Sequence, residues 1–131
     1  MKKSAAMPPT ASESDEQQAL FRWAQYMSGQ HPALRLMYHI PNEGKRSRAT
    51  GARMKAEGLK PGVPDICLPV PIGKYHGLYI ELKAGRNTAT DKQKEWLEAL
   101  GAQGYCTAVC RGWEQAAGVI TKYLGVKPYE R

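Results

Sequence analysis

Apolar residues recur along this chain with two different periods, and the switches between them mark out its elements. Leu20, Trp23, Ala24 and Met27 fall at i, i+3, i+4 and i+7, one stripe of a helix. Ser14, with Gln17 three residues on, has the form of a capping box, so this helix is expected to open near Ser14 and to end at Gly29 and His31-Pro32. From Leu34 to Ile40 the residues alternate as a strand does, until Pro41-Asn42-Glu43-Gly44 breaks the pattern. A basic helix is predicted from about Ser47 to Glu57, with Gly58 as its C-terminal cap. Asp65 to Val70 and Gly77 to Lys83 read as two strands joined through the turn at Pro71-Ile72-Gly73. Thr90 with Gln93 is a second capping box, opening a helix to about Gln103 in which Gln93, Trp96, Leu97 and Leu100 share one face. Tyr105 to Cys110 is the fourth strand, and a last helix, Trp113 to Leu124, turns Trp113, Ala116, Ala117, Ile120 and Leu124 inward. The order α-β-(α)-β-β-α-β-α predicts an α/β fold, a mixed sheet with helices packed on it.

Composition adds bounds rather than identity. A chain of 131 residues, 42% hydrophobic and 24% charged, fits one soluble domain with a core of its own. We expect residues 1–13 to be a disordered lead-in, 14–125 the folded domain and 126–131 a tail. No window approaches the roughly 18 apolar residues of a membrane span, and the N-terminus lacks the apolar segment of a secretory signal. Cys67, Cys106 and Cys110 form no Cys-x-x-Cys pair and the three histidines are scattered, so buried free thiols in a reducing cytoplasm are expected rather than a zinc site. Charge is more informative. Lys45, Arg46, Arg48, Arg53, Lys55 and Lys60 stand against the single acid Glu57, a net +5 of the chain's +7. Such a patch suits a polyanion, nucleic acid before an acidic membrane surface, although a solvated helix face has the same composition.

Three charges sit where apolar residues belong. Asp65 opens one strand, and Glu81 and Lys83 interrupt Leu78-Tyr79-Ile80-Glu81-Leu82-Lys83. Alternation puts Glu81 and Lys83 on one face and Ile80 and Leu82 on the other. A hairpin through the turn at 71–76 would bring Asp65 beside them. Two close carboxylates repel unless a cation or a proton intervenes, and oxygen donors without His or Cys favour Mg²⁺. With a lysine beside it, that arrangement suits phosphodiester hydrolysis. Each piece alone also has an ordinary reading, as a turn or as an exposed strand face.

Pro64-Asp65 and Glu81-Leu82-Lys83 resemble the signature of the PD-(D/E)XK nuclease superfamily. With Glu16 on the first helix, His39-Ile40-Pro41-Asn42-Glu43-Gly44, Gly62-Val63-Pro64-Asp65 and Gln93 before Trp96-Leu97, the chain resembles the virus-type replication-repair nuclease (VRR-Nuc) domain over residues 13 to 125, in the compact stand-alone form of phages and bacteria. The resemblance implies a restriction-endonuclease-like αβββαβ core, here with an extra basic helix between the first two strands. It implies that Asp65, Glu81 and the backbone carbonyl of Leu82 hold Mg²⁺ or Mn²⁺, that Lys83 positions the water, and that Gln93 faces the pocket. Glu16 would reach the metal directly or through water, with Glu13 and Asp15 as rivals, and His39 and Asn42 lie near the site. The basic residues would grip DNA phosphates, and the partners implied are branched or junction DNA and a second copy of the chain, with no membrane and no small-molecule cofactor. A non-catalytic nucleic-acid-binding module and an RNA-processing nuclease remain open alternatives, and a sequence-specific restriction enzyme is disfavoured because no recognition insertion is present.

Overall fold

The computed structural model describes residues 12–41 and 48–125. Its elements follow the predicted order: α1 (Glu13–Met27), a 3-10 turn (Pro32–Leu36), β1 (Tyr38–His39), α2 (Arg48–Ala56), β2 (Ile66–Leu68), β3 (Leu78–Lys83), α3 (Asp91–Ala102), β4 (Cys106–Arg111) and α4 (Trp113–Leu124). The strands form one mixed sheet in the order β1-β2-β3-β4, antiparallel except for the parallel pair β3–β4, which α3 connects. Expectations for Asn42, Lys45, Arg46, the lead-in through residue 11 and the tail from 126 fall outside the described residues.

Helix α1 starts earlier than predicted. Ser12 rather than Ser14 is its cap: the Ser12 hydroxyl accepts from the Asp15 N–H at 3.0 Å and the Asp15 carboxylate accepts from the Ser12 N–H at 3.1 Å. Asp15 completes that box with a negative charge at the positive end of the helix, which Gln17 cannot supply, so the earlier of two overlapping boxes wins. The first strand also contracts. Pro32 sits in the first turn of a 3-10 segment, and only Tyr38 and His39 pair with β2. The alternation of Leu34 and Leu36 misled because Leu34 enters the core from the 3-10 turn while Leu36 faces solvent. Strand β2 stops at Leu68 because Pro69 and Pro71 have no N–H to give a ladder.

One face of the sheet carries the core. Ile66, Leu68, Leu78, Ile80, Leu82 and Cys110 are buried with Leu20, Ala24 and Met27 of α1 and Ala116, Ala117 and Ile120 of α4. Burial of each of the larger side chains contributes roughly 1.5–3 kcal/mol. Helix α3 packs on β4. The loop leading into β2 crosses it so closely that a Cβ on Gly62, whose φ is +89°, would stand 2.9 Å from Lys92 backbone and side-chain atoms. That close approach fixes the path of Gly62-Val63-Pro64-Asp65, and with it the position of Asp65. Cys67 and Cys110 are buried free thiols and Cys106 is half-buried.

Candidate active site

The register of the β2–β3 hairpin decides what meets what. Ile66 pairs with Ile80, so Asp65, one residue before, comes opposite Glu81. All three charged residues are buried: Asp65 at 8%, Glu81 at 1% and Lys83 at 6% exposure. Asp65 Oδ2 accepts from the Leu82 N–H at 2.8 Å, a buried bond that locks the carboxylate across the hairpin. The Asp65 carbonyl in turn accepts from the Ile40 N–H at 2.7 Å and from His39 Nδ1 at 3.1 Å. Because a carbonyl only accepts, that contact places the His39 ring hydrogen on Nδ1. Lys83 Nζ stands 3.3 Å from Glu81 Oε2.

One polar atom in this arrangement has no partner. Glu81 Oε1 is buried and without a hydrogen bond, where buried side-chain oxygens are normally paired. Burial first, and then the Asp65 charge opposite, push the Glu81 carboxyl up to about 8, with Lys83 opposing both. Asp65 is raised by burial as well, against the lowering effect of its bond from Leu82. With both carboxyls ionised, two carboxylates would face one ammonium and an uncompensated negative charge would be buried here. A proton or a cation is needed to balance it.

A cavity of about 220 Å³ opens beside these groups, lined by Glu13, Ser14, Gln17, His39, Asp65 and Leu82. The carboxylate of α1 that reaches it is Glu13, whose Oε2 lies 4.0 Å from Lys83 Nζ and 3.4 Å from Asn87 Nδ2. Glu16 does not line the cavity. Its Oε1 accepts from the Trp113 N–H at 2.8 Å and so caps α4, whose own N-cap, Gly112, has no side chain to do so. Gln93 is also engaged elsewhere: its Oε1 accepts from the Thr90 N–H at 2.8 Å, completing the α3 capping box. Of the two roles that compete for that side chain, the cap is the one occupied. Arg53, Lys55 and Lys60 are exposed, on α2 and just beyond it.

Sequence reasoning gave no role to Arg111 or Asn87. Arg111 Nη1 donates to the carbonyls of Gly85 and Asn87, the latter at 2.8 Å, and so holds the loop after β3 against the end of β4. That loop delivers Asn87 to Glu13. No local pattern signals this bracing, because its members are 24 and 74 residues apart.

The donor set fits a hard divalent cation. Asp65, Glu81 and the Leu82 carbonyl are all oxygen donors, and the orphaned Glu81 Oε1 is a buried acceptor with nothing to accept from. Among the described residues no three His, Cys, Asp or Glu side chains are grouped to hold a metal. Two carboxylates with a main-chain carbonyl, waters and substrate phosphate is nonetheless a usual environment for Mg²⁺.

Comparison with known proteins agrees with this architecture. The family model for the VRR-NUC domain matches residues 8–114. A solved structure described as a VRR_NUC domain protein superposes with a TM-score of 0.76 at 30% identity, over 93% of this chain and 95% of the other. Among curated proteins, none matches.

Proposed function

This chain belongs to the VRR-NUC domain family, whose fold is of the nuclease type, and on that premise we propose that it is a divalent-metal-dependent DNA endonuclease. The observation that carries the reading is the buried Glu81 carboxyl, one oxygen unpartnered, opposite Asp65 and 3.3 Å from Lys83. Asp65, Glu81 and the Leu82 carbonyl would hold Mg²⁺ or Mn²⁺. When bound, the cation supplies positive charge to the phosphodiester and lowers the pKa of the water nucleophile. The Leu82 N–H keeps the Asp65 carboxylate turned toward Glu81, so the two donors are preorganised by the hairpin. Lys83 orients the water and stabilises charge developing on the phosphate. The carboxylate supplied by α1 is Glu13, and Glu16 acts one step back by holding α4 in place. Gln93 serves the site through the start of α3.

The basic stretch from Lys45 to Lys60 grips phosphates without reading bases, which favours selection by DNA structure over sequence. We propose branched DNA, including four-way junctions cut by paired nicks from a homodimer in the cytoplasm, as the use of such a site. The test is incubation of the protein with labelled duplex, flap, splayed-arm and four-way-junction DNA in Mg²⁺, Mn²⁺ or EDTA. Metal-dependent cutting of the branched substrates ahead of linear duplex is the expected result. No cutting of any DNA, or cutting undiminished by EDTA, refutes the reading.

The two α1 carboxylates separate cleanly in this scheme. Glu13→Gln is expected to lower cleavage by about tenfold or more with little change in thermal midpoint. Glu16→Gln is expected to cost about 1 kcal/mol of stability with kcat nearly unchanged. Melting curves and single-turnover rates on the two variants check both halves, and the reverse assignment would return Glu16 to the site.

A further inference from the structure

The sheet face opposite the core carries a strip of aromatic rings. Register places Tyr38 opposite Cys67, Cys67 opposite Tyr79 and Tyr79 opposite Thr107, one row across all four strands. Alternation puts Glu81 and Lys83 on the same face of β3 as Tyr79. The Tyr79 and Tyr105 rings meet edge to face at 5.2 Å, and Tyr105 meets His76 the same way at 5.6 Å. Cys67 is buried in this row between Tyr38 and Tyr79. The middle of the row is covered, with Cys67 at 4% exposure, while the two edge strands are open. Tyr38 is 49% exposed, and Val109, on the same side of β4, is 45% exposed.

Tyr38 and its strand neighbour His39 point to opposite faces, so His39 lines the cavity while Tyr38 shares the face of Glu81 and Lys83. The row of Tyr38 and Tyr79 lies two residues along the strands from Asp65 and Glu81, a separation of about 6.5 Å. That is within one or two nucleotides of a phosphate held at the site. Two occupants fit an aromatic sheet face: a second protein surface or nucleobases. Charge chooses between them, since a second copy brings another +7 while nucleic acid brings negative phosphates together with flat π faces.

We propose that Tyr38, at the exposed β1 end of this row, is a stacking platform for an unpaired base of the DNA strand beside the phosphodiester held at Asp65 and Glu81. Bases inside a duplex are stacked on each other and cannot use it, whereas an unpaired nucleotide at a branch can. The inference rests on the nuclease reading of the pocket, but its test does not need cleavage.

Fluorescence anisotropy in EDTA measures binding of a labelled 12-nucleotide single strand, a flap and a linear duplex. Tyr38→Ala is expected to weaken the single strand and the flap by about tenfold or more, in line with the loss of one base stack, and the duplex by less than about twofold. Tyr38→Phe keeps the ring and stays close to wild type. Tyr38→Leu keeps apolar bulk on the edge strand and loses affinity as alanine does, which separates stacking from folding. The proposal is overturned if alanine binds all three DNAs like wild type, if phenylalanine falls as far as alanine, or if the duplex loses equally. It is also overturned if sedimentation shows Tyr38→Ala turning a dimer into monomers, because the face then joins two copies. Failure of the wild type to cut with metal would sink the nuclease reading and leave these affinities standing.

Discussion

Lys83→Met is expected to slow metal-dependent cleavage by about a thousandfold while leaving metal binding intact. The side chain is 6% exposed and 3.3 Å from Glu81 Oε2, so methionine fills its space without its charge. Removing the ammonium leaves Asp65 and Glu81 facing each other without their buried counter-ion, and the pair then has more need of a cation. Metal-induced stabilisation in Lys83→Met should equal or exceed that of wild type. Glu81→Gln and Asp65→Asn behave differently, each losing an anionic donor, and both cleavage and metal-induced stabilisation should fall together. Single-turnover rates on a four-way junction, paired with melting curves across a Mn²⁺ titration, separate the two classes. A Lys83→Met protein that cuts within about tenfold of wild type would remove the lysine from the chemistry.

Without metal, the protein is expected to lose stability as pH rises from about 5 to about 8.5. Glu81 in the folded state is held up to about 8, from an ordinary value of 4.5, by burial and then by the Asp65 charge. Between those values the folded chain keeps a proton that the unfolded chain has released. Stability from this group is therefore fully present below about 4.5 and drains away as pH climbs toward 8. Asp65 is raised too, and its contribution has the same sign. The loss is on the order of a few kcal/mol for the pair. Glu81→Gln leaves one carboxylate facing one ammonium, so it should hold at pH 8.5 most of its stability at pH 5.5. Divalent metal should stabilise wild type more at the higher pH, by about 2.7 kcal/mol at a hundred times its dissociation constant. Urea unfolding in EDTA at both pH values is the measurement. Equal pH slopes for wild type and Glu81→Gln would show that no excess charge is buried at the site.

These two experiments bear on residues the sequence had already singled out, and the reason is local. Glu81 and Lys83 stand out because a six-residue apolar strand has no use for charge, and alternation alone says that they share a face. The turn residues between the two strands predict the hairpin, while its register, Ile66 with Ile80 and so Asp65 opposite Glu81, is set by the folded sheet. The last two helices were equally legible, Thr90 capping one and the apolar stripe from Trp113 to Leu124 setting the other. Leu34 to Ile40 was not. Its alternation is genuine, but the fixed φ of Pro32 and the burial of Leu34 favour a 3-10 turn.

The sequence by itself determined the order of elements, the core stripe of each long helix and the charged trio of the sheet, because periodicity, caps and misplaced charges act over a few residues. Only the tertiary structure decided which α1 carboxylate reaches Lys83. Glu13 and Glu16 lie seven and four residues before Leu20 and so share its stripe. Glu13, a turn earlier, reaches Lys83 from β3, whereas Glu16 meets the bare N-terminus of α4. The Arg111 brace and the loss of Gln93 to its cap were decided in the same way, by contacts between segments or by competition for one side chain. Stripe and spacing are properties of one helix, but where that helix ends relative to a sheet depends on how the whole core packs.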